Sequence, residues 1–155
     1  MVFGKFLSPL DDLKECHKIR REVFIEEQGV SEADEYDGTD AMNMHLLVSD
    51  GEKYVATGRI SLIDGVYKIS RVAVLKSERG KYYGDFAVRM LCDRAFQNGA
   101  ESVYINSQTH AVKFYKSIGF EEIGDEFMEA GIPHIKMQLR KCKFTSKCGN
   151  CGGCH

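Results

Sequence analysis

Apolar and polar positions follow several rhythms along this chain, and one change of rhythm organises the rest. Residues 72–75 (Val72, Ala73, Val74, Leu75) are apolar without a break, residues 76–84 are charged and hold Gly80 and Gly84, and Phe86, Ala87, Met90, Leu91 and Ala95 then recur at helical spacing. The continuous run predicts a buried strand and the recurrence an amphipathic helix. A strand that turns into a helix leaves the first helical N–H groups unpaired, which makes an anion site. Arg79 and Lys81 add positive charge to that turn, and its glycines let a phosphate approach the backbone.

Residues 2–7 predict a first strand. Ser8, as an N-cap before Pro9 with Asp11 in the first turn, predicts a helix through Leu10, Leu13, Cys16, Ile19 and Val23 to about Glu27. Residues 31–40 carry five acids and read as a solvated loop, or alternatively as an acidic rim for a cationic amine. Asp50-Gly51 and Asp64-Gly65 predict two hairpins, and so three antiparallel strands that end at Leu75. The central helix stops at Asn98-Gly99, and residues 102–106 predict a strand that its helical connection makes half of a parallel pair. Residues 110–118 predict a short helix, capped by Ser107 or Thr109 and closed by Gly119. Strands near 121–128 and 135–139 follow, joined by a turn at 130–133. The expected fold class is α/β in the α+β sense: a central, mostly antiparallel sheet with one parallel pair, flanked by helices.

At 155 residues, 43% hydrophobic and 28% charged, the chain suits one globular domain. A net charge of −2 argues against nucleic acid as a partner, and no apolar run reaches membrane-spanning length, so no membrane is expected either. The first residues lack the apolar centre of a secretion signal, and a cytoplasmic protein is expected. Of six cysteines, Cys142, Cys148, Cys151 and Cys154 fall in the last 14 residues, leaving Cys16 and Cys92 as core positions. The division is therefore a domain at 1–140 and a cysteine-rich tail at 141–155. The tail's spacings suit zinc or an iron–sulfur cluster, with a metal-free thiol-rich tail as the plainer alternative.

Four segments resemble the GNAT superfamily of acyl-CoA-dependent N-acetyltransferases: IRREVFIEEQGV at 19–30, V-A-V-x4-R-G-K-Y-Y-G at 72–84, F-Y-K-S-I-G-F at 114–120 and EAGIPHIKM at 129–137. The first and last look like its ElaA-like branch. The resemblance covers about residues 3–140 and implies the GNAT fold, with acetyl-CoA as cosubstrate. It also implies transfer of an acetyl group by direct attack of a primary amine, carried by a small molecule or a protein. In that likeness the backbone of Val72, Ala73 and Val74 pairs with the pantetheine arm, and Arg79, Gly80, Lys81, Tyr82, Tyr83 and Gly84 wrap the pyrophosphate. Gln108 would hold the cofactor's amide and Tyr115 would protonate the leaving thiolate. The chain departs from the family at Tyr82, where glycine is usual, and at Asp85, where a basic or small residue is common. A Cβ and a carboxylate there oppose a phosphate at the same spot.

Amine attack on a thioester needs placement, a donor to the carbonyl oxygen and a proton for the thiolate; it needs no metal and no strong nucleophile. For the general base the residue types offer Glu26, Glu27, His45 and His134, with His134 ranked first among the histidines for its family-like segment, while His110 reads as local structure. Two other functions stand beside the acetyltransferase. One is an acyltransferase similar to the acyl-homoserine-lactone synthases, which share the core fold and an Arg, Phe and acidic-loop arrangement like that of residues 20–40 but lack F-Y-x-x-x-G-F. The other is a degenerate GNAT domain that binds CoA or senses metal or thiols through the tail. The acceptor pocket is expected within residues 25–40 and 125–134, and the sequence is compatible with a monomer or a homodimer.

Overall fold

The structure is a computed structural model that describes residues 1–144. The first half runs β1 (Val2–Leu7), α1 (Lys14–Arg20), a π-helical continuation (Arg21–Glu27), α2 (Glu32–Glu35), β2 (Met44–Asp50), β3 (Lys53–Ile63) and β4 (Val66–Val74). The second runs α3 (Tyr83–Gln97), β5 (Ser102–Gln108), α4 (Val112–Ile118), β6 (Glu121–Glu122), β7 (Phe127–Glu129) and β8 (Ile132–Arg140). The strands make one mixed sheet in the order β1-β2-β3-β4-β5-β8-β6, with β7 paired to β8. Only β4 and β5 are parallel among these ladders, as the strand–helix–strand order requires.

The sheet carries two cores. On one face α3 buries Ala87, Val88, Leu91 and Ala95 against Ile69, Val103 and Ile105. On the other, Cys16, Ile19, Val23 and Phe24 of the first helix pack on Leu47 and Ala73. Cys16 and Cys92 are both buried free thiols, one in each core.

A bulge links fold to site. Arg59 faces Ser70 across the β3–β4 ladder, yet Thr57 faces Ala73, so β4 carries an extra residue there and Arg71 takes a left-handed φ of 54°. The strand's alternation flips at that point: Ile69 faces α3, whereas Ala73 faces the first helix. Gly58 lies opposite, where a Cβ would stand 2.5 Å from Leu91 Cδ1, so glycine lets α3 approach the bulge.

Four local expectations are corrected. Ser8 does not cap a helix: its N–H donates to Asp11 Oδ2 (2.8 Å) and its carbonyl accepts from Asp11 N–H (3.0 Å), closing a turn that leaves Leu10 97% exposed. The helix starts instead at Lys14. Neither Ser107 nor Thr109 caps α4, since Ala111 is the N-cap and Ser107 Oγ donates to the carbonyl of Gln108. The strand expected at 121–128 breaks into β6 and β7 around Gly124, at φ 89°. Pro133 lies in β8 opposite Met128 rather than in the turn.

Candidate active site

β4 and β5 pair only where Tyr67, Lys68 and Ile69 meet Val103, Tyr104 and Ile105. Beyond Ile69 the two strands diverge, and the wedge between them opens into a cleft of about 1170 Å³. Its walls include Val74, Gly84 and Tyr115 on the α3 side of the sheet and Arg59, Glu129 and His134 on the other.

The anion turn closes one end. None of the N–H groups from Gly80 to Asp85 donates to another described residue. Gly80 (φ 82°) and Tyr82 (φ 67°) are both left-handed, which gives the turn the concave form of an anion nest. The Tyr82 side chain stands 83% exposed, so its ring does not plug the turn. Asp85 accepts from Arg89 Nε at 2.9 Å, which neutralises the carboxylate at the helix start. Lys81 turns to Glu78 (3.2 Å) and does not line the cleft. The Tyr83 hydroxyl donates to Asp50 Oδ2 (2.5 Å), a bond that pushes the phenol up to about 12.

Tyr115 is buried, its ring edge-on to Phe114 (4.9 Å) and Phe120 (5.6 Å), and burial pushes its phenol well above the ordinary value. Its hydroxyl makes no hydrogen bond among the described residues and lies at the cleft wall. Gln108 is engaged: its Nε2 donates to Gln28 Oε1 at 2.9 Å, and Gln28 Nε2 returns a 3.3 Å bond to its Oε1. His110 also meets Gln108 Oε1, at 2.6 Å.

The base candidates separate clearly. His134 is buried at the cleft wall, its Nδ1–H donating to the carbonyl of Ile132 (2.6 Å) and its Nε2 3.5 Å from Glu129 Oε2. Glu26 lies outside the cleft, exposed and 3.7 Å from Arg21. Glu27, next to it, lines the cleft and grips both terminal nitrogens of Arg79 at 2.6 and 2.7 Å. His45 is fully buried away from the cleft, with Nε2 on the carbonyl of Asp40 and Nδ1 unpaired among the described residues; burial lowers its pKa.

In the acidic stretch 31–40 the carboxylates of Glu35, Asp37 and Asp40 are spent on Arg20, Arg59 and Arg71, while Glu32 pairs with Arg21 at the surface (2.7 Å) and Asp34 is exposed at the cleft wall. Glu35, 2% exposed, meets Arg20 Nε at 2.6 Å and Arg71 Nε at 3.1 Å. Burial pushes the Glu35 carboxyl up, and the two guanidiniums in contact oppose that shift. Asp40 joins Arg20 (2.9 Å), Arg59 (2.9 Å) and His17 (3.0 Å). Burial pushes Asp40 up as well, but Arg20, Arg59 and His17 outweigh it and hold the carboxyl at about 2. The sequence singles out neither Arg59, Arg71, Gln28 nor Glu129, and it marks Arg20 only as the start of the Arg, Phe and acidic-loop arrangement, without its buried ion pairs to Glu35 and Asp40. Arg20 sits on an otherwise apolar helix face, a faint signal of a buried partner.

Cys142 is exposed and makes no disulfide among the described residues, and Cys148, Cys151 and Cys154 lie outside them. Among the described residues no three His, Cys, Asp or Glu side chains gather in a way that holds a metal.

A mixed sheet whose one parallel pair splays beside an anion turn defines the acyl-CoA N-acyltransferase fold. The acetyltransferase (GNAT) domain family matches residues 12–141, and the chain belongs to that family as an acetyltransferase. YjcF of Bacillus subtilis (strain 168), named an uncharacterized N-acetyltransferase, is 40% identical over 128 residues, 82% of this chain and 91% of YjcF. The crystal structure of Escherichia coli ElaA superposes with a TM-score of 0.81 at 28% identity, covering 90% of this chain and all (100%) of ElaA. An acyl-CoA N-acyltransferase from Pseudomonas aeruginosa gives 0.78 at 26%, covering 90% and 99%. Among the described residues, no helix is long and apolar enough to cross a membrane.

Proposed function

We propose that the chain transfers an acetyl group from acetyl-CoA to a primary amine by direct attack, in the wedge between β4 and β5. The observation that carries this reading is the three-residue limit of the β4–β5 ladder, which leaves peptide groups of both strands without each other beside a turn of free N–H groups. The fit is chemical. The backbone of Val72, Ala73 and Val74 suits the amides of pantetheine, and the N–H groups of residues 80–85 suit a pyrophosphate. Tyr82 and Asp85 do not obstruct that place, one being turned to solvent and the other neutralised by Arg89. Arg79 borders the same turn, and Gln108 holds a cofactor amide by exchanging its Gln28 partner.

Acetyl-CoA supplies an acetyl group activated as a thioester. Tyr115, kept protonated by its burial, gives its proton to the departing sulfur. His134 accepts the amine's proton: Nδ1–H is fixed on the Ile132 carbonyl, so Nε2 presents the lone pair, and the imidazolium formed pairs with Glu129. Acid and base thus flank the wedge from its two sides. Placement contributes most of the acceleration and proton transfer the rest.

Calorimetry with acetyl-CoA, followed by free-thiol release over a panel of primary amines, tests this. Binding and amine-dependent release of thiol are expected. An absence of binding at millimolar acetyl-CoA overturns the reading.

A further inference from the structure

Most charged side chains that line the cleft are already spent on one another. Glu27 holds Arg79, Arg89 holds Asp85, and Glu35, Asp37 and Asp40 hold Arg59 and Arg71. Lys68 is different. It lines the cleft half-buried, and among the described residues it makes no ion pair or hydrogen bond.

Its strand fixes its direction. Ile69 is fully buried in the core under α3, so Lys68 and Ser70 point to the opposite face, where His134 and Glu129 stand. Lys68 is level with Tyr104 of β5, two residues before Asn106, whose Nδ2 donates to Glu129 Oε1 at 3.2 Å. That end of the cleft therefore holds a cation with no counter-ion among the described residues and, across β5, a carboxylate beside His134. Lys68 does not serve the anion turn, because β4 runs on to Val74 before the turn begins, about 20 Å at the rise of a strand.

We infer that the acceptor is a small amine that carries an anionic group on the same molecule. Lys68 Nζ binds the anion, and Glu129 binds the ammonium before its proton is passed to His134. This rests on the transferase reading above. A plain amine leaves the lysine unmatched in a half-buried place, whereas an amino acid or an aminoalkyl phosphate neutralises it with a charge-assisted hydrogen bond.

The test measures acetyl transfer to three amines of equal chain length, an amino acid, an aminoalkyl phosphate and the plain alkylamine, with wild type, Lys68→Met and Lys68→Arg. Acetyl-CoA affinity is measured separately by calorimetry. Wild type is expected to show a KM for at least one anionic amine lower than for the plain amine by at least about tenfold. Lys68→Met raises that KM alone by about tenfold to a hundredfold, Lys68→Arg largely retains the preference, and acetyl-CoA affinity stays the same in all three. The ranking of amino acid against phosphate identifies the anion. Equal KM values, a preference for the plain amine, a preference that survives in Lys68→Met, or no turnover of any of the three by protein that binds acetyl-CoA overturns the inference and leaves the transferase reading standing. Failure of wild type to bind acetyl-CoA overturns the transferase reading, and this inference with it.

Discussion

Glu27 grips both terminal nitrogens of Arg79 at 2.6 and 2.7 Å across the cleft, while Arg79 Nε donates to the carbonyl of Val74 at 3.1 Å. One arginine thus ties the π-helical segment, the end of β4 and the anion turn together. Hydrogen bonding to Arg79 holds the Glu27 carboxyl below its ordinary value. Glu27→Gln releases the guanidinium's charge to a bound phosphate. Acetyl-CoA affinity is expected to rise a few-fold, on the order of 1 kcal/mol, and to fall more steeply with salt than in wild type. Calorimetry at two ionic strengths reads this, and equal salt dependence in both proteins contradicts it. The pair is partly exposed, so the loss of stability stays within about 1 kcal/mol.

Tyr115→Phe removes the proposed acid without emptying its packing against Phe114 and Phe120. A fall of kcat by about a hundredfold is expected, with acetyl-CoA affinity unchanged. Because burial raises the phenol, wild-type kcat is expected to show no decline from this group between about pH 7 and 9. Unchanged kcat in the variant removes Tyr115 from the chemistry.

The arginine–carboxylate cluster sets both the stability of the chain and its response to acid. Arg20→Ala strands Glu35 and Asp40 without their shared buried cation, and a loss of about 3–5 kcal/mol is expected in urea unfolding. The pH effect follows from the sign of the shift. Asp40 goes from an ordinary 3.8 to about 2 in the fold, so its contribution is present above about pH 4 and is lost as pH falls toward 2. Asp37, held low against its own burial by Arg59 and Thr39, adds in the same direction. Urea midpoints measured from pH 5 down to pH 2 are expected to fall in wild type, and by less in Arg59→Met.

Tyr82 occupies a left-handed conformation with its ring in solvent, a backbone state that suits glycine. Tyr82→Gly is expected to stabilise the chain by about 0.5–1 kcal/mol in urea unfolding and to leave the anion turn able to bind. A loss of stability would mean that the exposed ring makes a contact that offsets the strain.

Where local chemistry decides, the sequence was readable. Asp50-Gly51 and Asp64-Gly65 turn the two hairpins, and the apolar recurrence from Phe86 to Ala95 is α3. The approach of Gly84, Tyr115, His134 and Gln108 to one cleft follows from segments that resemble a known family. What escaped depends on distance or on irregular backbone. Glu35 and Asp40 look solvent-facing because their partners, Arg20, Arg59 and Arg71, come from three other elements. Residue type alone offers Glu26 and Glu27 equally as bases. The backbone at Arg21–Glu27 is π-helical, with Gln28 N–H reaching back to Val23, and within it Glu27 lines the cleft while Glu26 does not. The bulge at Arg71, which flips the face of β4, has no signature in side-chain pattern alone.

The early parting of β4 from β5 gives the protein a strand border in the middle of its sheet. At the outside of a fold such a border recruits foreign strands and seeds aggregates. Here the first helix on one side and α3 with its leading turn on the other wall it in, and the border faces a cleft of about 1170 Å³. The architecture thereby turns a hazard of β proteins into a selective port.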